Sequence, residues 1–131
     1  MRVLLDTHAL LWFIDGNDQL SVKARHIIEN TDNQILISAI SLFEIAIKLK
    51  LNKLALHKPL EEIFADIMAA GIETLPIQEL QLLKYQELPT HSEHRDPFDR
   101  LIIAAAISQK AAIISIDRHF CLYDSFVEVL W

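Results

Sequence analysis

Five acidic residues stand where a folded chain can gather them. Asp6 directly follows a short apolar run, and Glu44 lies within an amphipathic stretch. Asp96 and Asp99 open a long apolar stretch, and Asp117 ends a further apolar run. Carboxylates brought together repel one another; at about 4 Å two unit charges near a protein surface cost several kcal/mol. Such a cluster holds either protons or a cation. Donors that are all oxygen favour Mg²⁺ or Mn²⁺ over zinc. An ion of that kind can activate a water and neutralise charge on a phosphodiester under attack. The chemistry this points to is hydrolysis without a covalent enzyme intermediate.

The elements that must position these acids are readable from period and punctuation. Apolar runs predict strands at Arg2–Leu5, Gln34–Ser38 and Ala112–Ile116, with Glu73–Leu75 a candidate third strand and Phe126–Leu130 a candidate edge strand. Helices are expected over Thr7–Ile14, over Val22–Asn30 after a Ser21 cap, and over Gln78–Glu87. Ser41-x-x-Glu44 has the form of a capping box, so a helix is expected to start there and run to about Leu51. Another begins with Pro59 near its first turn and stops near Gly71. The last begins at Asp96 or Pro97 and ends near Gln109. Its centre, Leu101–Ile107, is apolar on every side, as in a helix packed against more than one neighbour.

Strands alternating with helices imply an α/β fold, a three-layer α/β/α sandwich with a mostly parallel sheet of four to five strands. Residues 1–131 read as one domain, with no repeat or linker. In such folds the strand C-termini and the following helix N-termini share one edge, where ligands bind. Asp6, Glu44, Asp99 and Asp117 should therefore meet at that edge.

Taken singly, each acid has an ordinary structural role. Asp6, Asp96 and Asp99 suit helix caps or the helix dipole. Glu44 completes a capping box or pairs with Lys48 four residues on, and Asp117 suits an Asx-turn. Their convergence in one topology is what argues for a metal site. Thr7, Ser38, Ser41 and Ser115 are hydroxyls suited to orienting carboxylates, or equally to caps and turns. Lys48, Lys50, Lys53, His57 and Lys58 form a loose basic stretch. With Arg95 and Arg100 it suits either RNA phosphates or a solvated helix face. Trp12, Phe13 and Ile14 are expected mostly in the core. His91-Ser92-Glu93-His94 has HxxH form but no evident third ligand, so a zinc site is not expected.

These pieces resemble the PIN-domain nucleases, and within them the VapC-type toxins of bacterial toxin–antitoxin pairs. The matching segments are Leu4-Leu5-Asp6-Thr7-His8, Ser38-x-x-Ser41-x-x-Glu44, His94-Arg95-Asp96-Pro97-Phe98-Asp99-Arg100-Leu101-Ile102 and Ser115-Ile116-Asp117. Each is weak alone; in this order and at these spacings they are fairly specific. The resemblance implies an endoribonuclease using Mg²⁺ or Mn²⁺, typically a homodimer silenced by a small antitoxin. Carried over by position, Asp6, Glu44, Asp99 and Asp117 match the family acids, and Asp96 supports them.

Two other functions are weighed against this. A phosphatase of the haloacid dehalogenase type needs a second Asp two residues after its nucleophile, where this chain has His8. A non-catalytic RNA- or partner-binding module on the same scaffold usually lacks some acids, and all four are present here. The net charge of −6 disfavours simple nucleic-acid binding, although a bound cation inverts the local charge. One unpaired cysteine, Cys121, suits a reducing cytoplasm. The opening Met1-Arg2-Val3-Leu4-Leu5-Asp6 lacks the layout of a signal peptide, and no apolar run approaches the roughly twenty residues of a membrane span.

Overall fold

A computed structural model describes residues 1–56 and 58–131; His57, part of the expected basic stretch, lies outside the described residues. Five strands form one sheet in the order β3-β2-β1-β4-β5. They are β1 (Arg2–Leu5), β2 (Gln34–Ser38), β3 (Glu73–Leu75), β4 (Ala112–Ile114) and β5 (Val129–Leu130). Every pair is parallel. The central strand β1 sets Leu4 beside Leu36 on one flank and Ile113 on the other.

Side chains alternate across a strand, so each strand feeds two cores. Val3, Leu5, Ile35, Ile37 and Ile114 face one layer, shared with α1 (Thr7–Asp15), α2 (Val22–Glu29) and α4 (Leu60–Ala69). Leu4, Leu36 and Ile113 face the other, shared with α6 (Pro97–Gln109) and a 3₁₀ turn at Arg118–Tyr123. The helix α5 (Glu79–Glu87) packs on α6, and α3 (Ala39–Lys50) contributes Ile40 to one core and Ile45 to the other. The architecture is the expected α/β/α sandwich. Leu101 to Ala106 of α6 are all buried, as a helix apolar on every side requires.

Several boundaries differ from the sequence reading. α3 starts at Ala39, not Ser41, because Ser38 at the end of β2 is already a cap: its Oγ accepts the Ile40 N–H at 3.2 Å. Strand passes into helix without a loop, so Glu44 falls in the second turn and no capping box forms. Pro59 is the cap of α4, outside the first turn. β4 stops at Ile114 and β5 covers only Val129–Leu130, since the ladder between them closes with Ser115 N–H donating to Leu130 O at 3.2 Å. Trp12, Phe13 and Ile14 are half-buried at the rim of their core.

Candidate active site

The acids reach one cleft from different element ends. Asp6 follows β1 and caps α1, its Oδ1 accepting the Ala9 N–H at 2.7 Å. Asp96 caps α6 through Phe98 N–H at 2.8 Å. Asp117, just past β4, accepts the His119 N–H at 2.9 Å. The capping roles open to each residue singly are therefore real, and each anchors one carboxylate oxygen at the same edge of the sheet. Asp99 lies in the first turn of α6. Together with Glu44 these residues line a cleft of about 160 Å³, alongside Thr7, His8 and Lys48. That is room for roughly five waters at about 30 Å³ each. A larger hollow of about 440 Å³ adjoins it through His8 and runs past Trp12, Asp15 and Lys53. It carries no comparable set of acids.

The charges feel one another. Burial first, then Asp96, Glu44, Asp117 and Asp6, push the Asp99 carboxyl up to about 7. Burial also raises Asp6, against hydrogen bonds from the Ser115 hydroxyl and the Ala9 N–H that favour its charged form. The Thr7 hydroxyl donates to Glu44 Oε1 at 2.7 Å, and the Lys48 ammonium lies 3.0 Å from Oε2. Ser115 Oγ accepts the Asp117 N–H at 3.0 Å. Ser41 is fully buried one helical turn before Glu44, and its hydroxyl has no hydrogen-bond partner among the described residues.

The basic residues divide. Lys48 is committed to Glu44, and Arg95 is exposed. Arg100 departs from the expectation of a phosphate-binding residue. It is buried, its guanidinium donates to Pro89 O at 3.0 Å and Tyr123 Oη at 2.9 Å, and it lies over the Tyr85 ring. Its place three residues into α6 turns it toward the core, away from the cleft.

One histidine set aside in the sequence reading sits against the site. His94 is buried, with Nε2 3.3 Å from Asp99 Oδ2 and Nδ1 3.0 Å from Tyr123 Oη. Burial holds its pKa below the usual value. His119 stacks on its ring at 5.5 Å between centroids and places Nδ1 2.9 Å from Asp117 Oδ1. The only sequence signals were a histidine five residues before Asp99 and another two after Asp117. The partner of His94, Tyr123, lies too far along the chain for spacing to reveal it.

The donor set suits a hard divalent cation: five carboxylates, no thiolate, and burial that, with the repulsion of the other four acids, lifts Asp99 into the neutral range. Among the described residues, no three acidic, histidine or cysteine side chains already converge on one point. The reason is visible in their bonds, since each carboxylate leans on its own partner: Ala9, Lys48, Phe98, His94 or His119. The residues fit the ion by chemistry and charge, with side-chain rotation left to complete the shell.

The family model of the PIN domain matches residues 3–125. The chain belongs to the PIN-domain family. This PIN domain is 32% identical over 116 residues to Ribonuclease VapC22 of Mycobacterium tuberculosis (strain ATCC 25618 / H37Rv), covering 88% of this chain and 87% of that one. Among solved structures it resembles VapBC2 from Rickettsia felis bound to a DNA fragment from their promoter. The TM-score is 0.72 at 21% identity, over 100% of this chain and 99% of that one. It also resembles VapBC-5 from Mycobacterium tuberculosis, a member of the VapBC family of toxin–antitoxin systems. There the TM-score is 0.61 at 20% identity, over 98% and 95% of the two chains. At those identities the structural likeness is one of fold. No helix of the described residues is long and apolar enough to cross a membrane.

Proposed function

We propose that this PIN domain is a divalent-metal-dependent endoribonuclease, the toxin of a toxin–antitoxin pair, acting as one catalytic domain over residues 1–131. The observation that carries the reading is the coupling of Asp99 to four other carboxylates in one cleft at the C-terminal sheet edge. The named relative, a ribonuclease, and the toxin–antitoxin neighbours support the substrate and the biological setting.

Asp6, Glu44, Asp99 and Asp117 would hold Mg²⁺ or Mn²⁺, with Asp96 at the rim. The bound ion supplies a nucleophilic water and charge neutralisation at the scissile phosphate. The protein's own part is positional. Thr7 orients Glu44, and the capping bonds on Asp6 and Asp117 fix where those carboxylates stand. Lys48 neutralises Glu44 when no ion does so. Arg95, which is exposed, and Lys48, once an ion relieves it of Glu44, would meet RNA phosphates. A small antitoxin and a second copy of the chain are the proposed protein partners, and the cytoplasm is the proposed location, in keeping with one unpaired cysteine.

The test is cleavage of labelled total RNA by purified, antitoxin-free protein in Mn²⁺ or Mg²⁺ and in EDTA, with Asp6→Asn alongside. Cutting that needs the metal and disappears in the variant is expected. A well-folded protein that cuts nothing in either metal would favour the non-catalytic binding module.

A further inference from the structure

We infer that His94 is a positioning residue for Asp99, held in one tautomer by a buried chain of hydrogen bonds that begins at Arg100. This rests on the metal-centre reading for its purpose but not for its geometry.

The direction of the chain follows from donor counting. A guanidinium has donors only, so Arg100 donates to Tyr123 Oη, at 2.9 Å. Tyr123 is fully buried, and among the described residues its oxygen has one other hydrogen-bond partner, His94 Nδ1, at 3.0 Å. The single phenol hydrogen must go there, or it is left buried without an acceptor. Nδ1 is then the acceptor, and the ring hydrogen sits on Nε2. That nitrogen faces Asp99 Oδ2 at 3.3 Å. The imidazole therefore donates to the carboxylate while carrying no charge of its own. An ammonium or guanidinium in its place would compete with a cation for Asp99; a neutral donor orients the group and leaves its charge available.

Packing locks the ring in that role. His94 lies between the faces and edges of Phe120, Tyr123 and His119. The neighbouring His119 addresses Asp117 at 2.9 Å, so two parallel imidazoles reach two of the cleft acids from one side. Partners that orient a metal-binding group in this way commonly set affinity by about 10–100-fold.

Two measurements on the full chain test this. Long-range ¹H–¹⁵N correlation of metal-free protein reads the tautomer directly. His94 should show a protonated Nε2 and a bare Nδ1, and Tyr123→Phe should relax that preference. A protonated Nδ1 in the wild type overturns the inference. Calorimetric titration with Mn²⁺ reads the consequence. His94→Phe should bind about tenfold more weakly or worse. His94→Gln, whose amide can still donate from the Nε2 position, should recover most of the loss, which a folding defect would not allow. Equal Mn²⁺ affinity in wild type and His94→Phe overturns the inference alone. No Mn²⁺ binding by wild type overturns the metal-centre reading beneath it.

Discussion

Replacing Asp99 with asparagine removes a charge that burial and four neighbouring carboxylates oppose. A carboxyl held at about 7 in place of 3.8 corresponds to about 4 kcal/mol against its ionised form. Its side chain is 24% exposed. Solvent screening therefore cuts the recoverable part to roughly 1–3 kcal/mol. Asparagine keeps an acceptor for the His94 Nε2–H, so little else is lost. Between pH 3.8 and about 7 the folded carboxyl holds a proton that the unfolded chain has released. That contribution to stability is complete below the unfolded value and disappears as pH rises through about 7. Metal-free wild type should thus weaken across that window relative to Asp99→Asn, and the gap should level off near pH 8. For a domain of this size, about 3–4 °C accompanies each kcal/mol, so the variant should melt about 3–12 °C higher at pH 8–9 in EDTA. Thermal melts of both proteins from pH 5 to 9 make the measurement, and the difference cancels the histidines they share. Melting curves that stay parallel over the whole range would refute the claim that the cleft burdens Asp99. The same variant should cut no RNA, so stability and activity move in opposite directions.

Two further outcomes separate structure from chemistry. Arg100→Met should cost about 2–4 kcal/mol in urea denaturation, because Pro89 O and the Tyr123 hydroxyl lose a buried charged donor. An unchanged midpoint would return Arg100 to the list of phosphate contacts. Lys110 closes α6 with φ at +52°, a conformation that glycine adopts without a Cβ penalty. Lys110→Gly should stabilise by about 0.5–1 kcal/mol in the same assay, and a loss would mean the lysine side chain makes a compensating contact.

β1 and β2 were legible because buried parallel strands leave an apolar run, and β1, β2 and β3 match their expected limits. The strand ends near the C-terminus were not, because Ile116 after β4 and Phe126 before β5 extend the apolar character beyond the ladder. The meeting of the acids followed from topology, since it depends only on which edge a parallel strand or its helix begins or ends. What topology cannot give is side-chain direction. Glu44 reaches the cleft from a second helical turn that the Ser41 motif misplaced, and Arg100 turns inward although its neighbour Asp99 turns outward. His94 was invisible for a similar reason: its value lies in a tyrosine brought beside it by the fold.

The central position of β1 bears on the order in which the cleft can be assembled. Its first flank is covered by β2, but the second waits for β4, which begins at Ala112. In a chain still being translated, Asp6 emerges 111 residues ahead of Asp117. The sheet closes only through a contact between β1 and β4, which are over a hundred residues apart, and that is slow compared with local helix formation. Unfinished products, and any cut short before β4, leave β1 with one neighbour and the cleft without its far wall. Synthesis thus imposes a delay of its own: the wall bearing Asp117 follows β1, β2 and the helices between, and until it docks the growing chain has no closed cleft.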